Sequence, residues 1–138
     1  MAYCLYTNDD VCSIGPVANR ASALKARSGD ELYNYYRFSA DEWSDWEDYG
    51  AFLAVNAWIS QHAKRKDYFE CVAPKLLSIC IDALAEQKAA GVFAANPDQQ
   101  FLAVWVSDSS SSLVQESVAR LNSPEIYRAF ALEFADSE

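Results

Sequence analysis

From Phe101 the chain reads FLAVWVSD, and no other segment limits the fold so tightly. Its near-continuous apolar character predicts a strand over residues 101–108 at the centre of a sheet, buried on both faces. Such a strand needs packing partners. The longest comes from Asp67 to Ala90, where Phe69, Val72, Leu76, Leu77, Cys80 and Leu84 recur at three- and four-residue spacing. Ile79 and Ile81 widen that stripe, so the middle of the helix is expected to be largely buried, and Gly91 marks its stop. Pro74 either kinks the helix or sits in the first turn of its main part.

Other elements follow from local chemistry. Ala2 to Thr7 suits a strand, Asn8-Asp9-Asp10 is a turn cluster, and Val11 to Ala18 reads as a second strand pairing back as a hairpin. Gly15-Pro16 interrupts it, which places Pro16 at an edge, a bulge or the strand's end. Arg20 to Arg27 has helix-forming residues, with Asn19 as a candidate cap. Leu32 to Phe38 is aromatic-dense and is expected as a strand or as extended chain across the sheet. Ser39-Ala40-Asp41-Glu42 matches a capping box and predicts a short helical turn through Trp43. Ala51 to Ala63 carries Phe52, Val55 and Ile59 at helical spacing, and Lys64-Arg65-Lys66 complements its C-terminal dipole. Ser112 with Gln115 forms a second capping box, so Leu113 to Leu121 is expected as a helix. Ser123-Pro124 then starts a helix striped by Ile126, Phe130 and Phe134.

The fold class expected is therefore α+β, one domain over residues 1–138. A small antiparallel or mixed sheet, made of the N-terminal hairpin and the strand at 101–108, packs against the long helix and the C-terminal helices. With 138 residues of which 51% are apolar, such a domain can bury a core without staples. No run of eighteen apolar residues is present, and MAYCLYTNDD has no basic leader, so neither a membrane-spanning helix nor a signal peptide is expected. The four cysteines contain no CxxC pair, and Cys71 and Cys80 fall on nearly opposite sides of one helix. Buried reduced thiols in a cytoplasmic protein are expected.

The formal charge of −9 disfavours nucleic acid and anionic membranes, which reward clustered Lys and Arg, and favours a basic partner or simple solubility. The acids concentrate in ELYNYYRFSADEWSDWEDY, from Glu31 to Tyr49, interleaved with tyrosines and tryptophans. Rings that bury much area beside fixed charge suit a recognition surface. Trp43, Trp46 and Tyr49 would supply contact area there, and Glu42, Asp45, Glu47 and Asp48 complementary charge. The alternative is that Trp43 and several tyrosines pack on the long helix while the acids form a solvated side.

Catalytic constellations are sparse. Any Ser-His-Asp or Cys-His site would have to use the single histidine, His62, which sits at a helix end and reads as a capping residue. The carboxylates of residues 41–48 could in principle form an acid and base pair or hold a hard cation, but EF-hand spacing and its turn glycine are absent. Asp108 with Ser109 to Ser112 lacks the glycines of a nucleophile elbow or phosphate loop. No cofactor motif is present.

Three blocks stand in a recognisable order: LYTNDDVCSIGPVAN from Leu5, YYRFSADEW from Tyr35, and VSDSSSSLVQESVARLNSPE from Val106. Together they resemble a bacterial family catalogued only as a domain of unknown function, number 4303. Its members show an LYT-D-D strand, a P-AN step, an aromatic block ending in EW, and ES-x-x-RLN. Members usually carry a helix ahead of the first strand, whereas here Met1 abuts that strand, and Phe38 stands where Trp is frequent. The resemblance implies a small α+β fold and no established chemistry. Such families recur beside secreted or contact-dependent bacterial toxins, and the compact acidic make-up is similar to that of immunity proteins.

The function expected is a non-enzymatic cytoplasmic binding protein, an immunity protein neutralising a basic cognate toxin, with no cofactor or metal. The alternatives are a carboxylate- or metal-dependent hydrolase, and a homo-oligomer such as a dimer with the aromatics at its interface.

Overall fold

The computed structural model describes residues 1–45, 49–93, 96, 99–107 and 112–134, the side chain of Tyr49 excepted. Strands β1 (Ala2–Thr7), β2 (Gly15–Asn19) and β3 (Phe101–Val106) form one sheet in the order β2-β1-β3. β1 pairs antiparallel with β2, setting Leu5 opposite Pro16, and parallel with β3, setting Ala2 opposite Phe101 and Thr7 opposite Val106. A parallel pair needs a long crossover. The stretch between β2 and β3 provides it, carrying helices α1 (Tyr33–Phe38), α2 (Leu53–His62) and α3 (Ala73–Ala89). Helices α4 (Ser112–Leu121) and α5 (Pro124–Phe134) follow β3. The class is α+β with a mixed sheet.

The centre of the sheet is β1, not β3 as its apolar run suggested. β3 is nevertheless buried at every position, because α4 lies along its outer side. Ser117 Oγ accepts from the Val104 N–H at 3.0 Å, and its one hydroxyl hydrogen is shared between the Val114 carbonyl at 2.8 Å and the Val104 carbonyl at 3.3 Å. Asn122 Oδ1 accepts from the Leu102 N–H at 2.9 Å, and Asn122 Nδ2 donates to the Leu102 carbonyl at 2.7 Å. Two side chains thus stand in for the missing neighbour strand and satisfy an edge that would otherwise bury unpaired backbone groups. Lys88 Nζ donates to the Leu121 carbonyl at 2.8 Å, and Arg120 pairs with Asp82 at 2.6 Å, fastening α4 to α3.

Elsewhere the second strand is shorter than expected. Val11–Ile14 is loop, with Val11 in the left-handed region at φ 49°. A β-branched residue there is strained, so its surroundings must hold it. Tyr68 donates its hydroxyl to the Val11 carbonyl, and Asn56 clamps Ile14 through both backbone groups, at 2.7 and 2.9 Å. Pro16 lies on β2, an edge strand, where its missing N–H is tolerated. Arg20–Arg27 forms only a 3₁₀ turn at Ala21–Ala23, with Arg20 rather than Asn19 at the cap position and no side-chain cap. The aromatic segment expected to be extended is helical, as α1. Tyr35 and Phe38, three residues apart, meet Phe134 face-on and Phe130 edge-on on α5, and that tertiary packing overrides the β preference of the rings.

The long helix begins as a π-helical stretch, Tyr68–Val72, before α3 proper, and Pro74 occupies the first turn of α3. Ser123 Oγ accepts from the Ile126 N–H at 3.4 Å, the cap expected for α5. All four cysteines are free; Cys4 and Cys80 are buried, but Cys12 and Cys71 are exposed. On one face of the sheet Phe101 stacks against Phe130 at 6.0 Å and packs at a tilt on Phe38 at 4.9 Å, and Trp105 meets Phe130 and Phe134 edge-on. These rings, with Cys4, Ala103 and Trp43, belong to one continuous core cluster.

Candidate functional site

The acidic-aromatic stretch is built from the core outwards. Trp43 is 4% exposed, donates its indole N–H to the Tyr36 carbonyl at 3.1 Å, and meets Phe101 edge-on at 6.1 Å. It is therefore a core anchor and not the contact residue expected. Residues Ala40–Glu42 form the expected short turn as a 3₁₀ helix, but without the capping box: Ser39 makes no side-chain cap, and Glu42 looks elsewhere. Its carboxylate pairs with Lys25 at 3.0 Å and accepts the Tyr35 hydroxyl at 3.2 Å. The hydrogen bond from Lys25 holds the Glu42 carboxyl below its usual pKa, while burial first and Glu42 second raise the Tyr35 hydroxyl.

Asp45 makes an isolated antiparallel bridge to β2, accepting the Ala18 N–H on its carbonyl at 2.8 Å, and its carboxylate lies 3.8 Å from Arg20. Asp41, one of the carboxylates considered for an acid and base pair or a hard cation, is engaged within the fold instead. One of its oxygens accepts the Tyr6 hydroxyl at 2.7 Å and the other the Trp105 indole N–H at 3.1 Å, tying the turn to β1 and β3. No local pattern could show this, because the donors are 35 and 64 residues away. Trp46, Glu47, Asp48 and the side chain of Tyr49 lie outside the described residues, as do Asp108 to Ser111. His62 stacks on Trp58 at 3.8 Å and places Nδ1 2.8 Å from the Trp58 carbonyl, an arrangement at the end of α2.

A second feature was not legible in the sequence. Where β1 and β3 begin and β2 ends, a cavity of about 540 Å³ opens, lined among others by Asn19, Arg20, Tyr33, Arg37, Gln100 and Phe101. Its lining comes from four segments, around residues 1–2, 19–24, 33–37 and 99–101, which the β2-β1-β3 pairing and the packing of α1 bring together. Arg37 is oriented by the rings of Tyr33 and Phe38, at 5.9 and 4.9 Å from their centroids.

Among the described residues, no group of three His, Cys, Asp or Glu side chains could hold a metal ion, and no helix is long and apolar enough to cross a membrane. The buried Cys4 thiol is pushed well above its ordinary pKa, chiefly by desolvation, which disfavours the nucleophilic thiolate.

The sequence blocks thus have structural tasks: Tyr6, Asp41 and Trp43 lock the central turn, and Ser117 and Asn122 seal the sheet. No curated protein and no solved structure matches the chain. The profile described as Domain of unknown function (DUF4303) matches residues 1–123 of the 138, and the chain belongs to that family.

Proposed function

We propose that this is a non-enzymatic binding protein of the bacterial cytoplasm, an immunity-type protein that occludes a basic cognate toxin through its acidic-aromatic segment. The observation that carries this reading is the anchoring of that segment. Buried Trp43 and the Ala18–Asp45 bridge tie the segment to the core and to β2 as far as Asp45, so that part of it is held in place before any partner arrives, which lowers the cost of binding. The net charge of −9 supports a basic partner, since a surplus of one sign steers the opposite sign into encounter. Glu42 and Asp45 already face Lys25 and Arg20. Both are part-exposed surface pairs, and this reading gives the partner-facing role to Glu47 and Asp48 beside them.

The test uses the product of the adjacent reading frame as the partner. Co-expression should relieve its toxicity, and the purified pair should associate with a rate that falls as salt rises. Glu47→Lys with Asp48→Lys should slow association roughly tenfold or more and weaken its salt dependence. An unchanged rate removes this segment from the interface, and no association with that product removes the immunity reading.

A further inference from the structure

The cavity at the start of β1 and β3 does not belong to the partner-binding segment, and its chemistry points the other way. Two guanidiniums, Arg20 and Arg37, line it, and no carboxylate is among its described lining residues, in a chain whose net charge is −9. Arg37 is held by the Tyr33 and Phe38 rings and so is oriented in advance. The Arg20 guanidinium meets Asp45 at 3.8 Å from the rim, with its side chain 68% exposed.

Gln100 adds an independent sign. It is 3% exposed and lines the cavity, yet its Oε1 has no hydrogen-bond partner. A buried acceptor left unpaired costs about 1–3 kcal/mol, and a donor arriving in the cavity would remove that cost. Tyr33 and Leu24 supply apolar surface beside these polar groups. A volume of about 540 Å³ lies within the range of roughly 300–1,000 Å³ usual for small-molecule sites.

We propose that this cavity binds a small organic anion built on a flat apolar body that carries an N–H donor. The anionic group would face Arg20 and Arg37, the ring would lie against Tyr33, and a turn of the Gln100 amide would bring its Oε1, now closed off from solvent, to the N–H. A nucleoside monophosphate and an aromatic carboxylate with a ring N–H share this chemistry. The site stands independently of the toxin-binding reading, and its test needs no partner protein.

The experiment is calorimetric titration of the full chain with adenosine monophosphate and, separately, with indole-3-acetate. Inorganic phosphate and adenosine serve as half-ligands. One or both full probes should bind with a Kd below about 1 mM, and each half-ligand at least tenfold more weakly. Binding by the nucleotide alone identifies the phosphate source, and binding by the indole alone the carboxylate source. Gln100→Leu and Arg20→Gln should each weaken the bound probe roughly tenfold or more. Arg20→Gln alters an exposed side chain, so it keeps the test decisive where Gln100→Leu fails to fold. Absence of binding by both probes, phosphate binding as tightly as the nucleotide, or unchanged affinity in Arg20→Gln overturns the proposal.

Discussion

At the scale of single residues, the tryptophan at position 43 is where a surface role and a core role diverge most. A ring offered to a partner contributes little to the stability of the free protein, whereas a buried one leaves a cavity when removed. With its indole 4% exposed and its N–H bonded to the Tyr36 carbonyl, Trp43→Ala should destabilise the chain by about 3–5 kcal/mol, read from urea unfolding. A loss below about 1 kcal/mol would return the ring to the surface. The sequence showed an aromatic among acids and left both roles open, since composition carries no information on which way a side chain points. Asp41 makes the same point from the other side. It stood in a run of carboxylates with nothing to single it out, yet it receives the Tyr6 hydroxyl and the Trp105 indole. Glu42 looked like a capping residue and is instead the anion that holds Lys25.

At the scale of elements, the chain's periodic patterns were good guides and its pairings were not. Of the expected stripe, Leu76, Leu77, Cys80, Ile81 and Leu84 are buried on α3, whereas Phe69 and Ile79 are 57% and 62% exposed and lie off the covered face. The aromatic segment 32–38 misled because ring-rich sequence favours strands until a helix such as α5 offers stacking partners at helical spacing. The apolar run of β3 misled in another way: full burial signals a covered strand, and here a helix rather than a further strand covers the edge. Asn122 is the critical side chain of that arrangement, because it serves both backbone groups of Leu102. Asn122→Ala should cost about 2–4 kcal/mol and speed exchange of the Leu102 amide, with the Val104 amide, held by Ser117, less affected. Asn122→Asp keeps the acceptor for the Leu102 N–H and loses the donor, so its exchange at Leu102 should stay closer to the parent's. Equal exchange in all three proteins would show that α4 shields β3 by packing alone. The cavity was the least legible feature, since Asn19, Arg37 and Gln100 meet only after the crossover is complete.

At the scale of the whole molecule, burial of ionisable groups makes folding sensitive to alkali. Desolvation raises the Cys80 thiol from 9.0 to about 11, and raises Cys4 and Tyr68 in the same direction. Each of these groups is neutral in the folded protein, and the unfolded chain gives up its protons first as pH climbs. Their contribution is therefore fully present below the unfolded pKa and is lost as pH rises towards the folded one. For Cys80 the window runs from 9.0 to about 11, and the shift corresponds to about 2–3 kcal/mol of stability across it. Urea unfolding at about pH 8 and about pH 11 should show this loss in the parent protein. Cys80→Ala lowers stability at both values by removing packed atoms, but the difference between the two should shrink by about the Cys80 share. An undiminished difference would assign the alkaline loss to Cys4 and Tyr68, whose burial in the same core gives them the same sign.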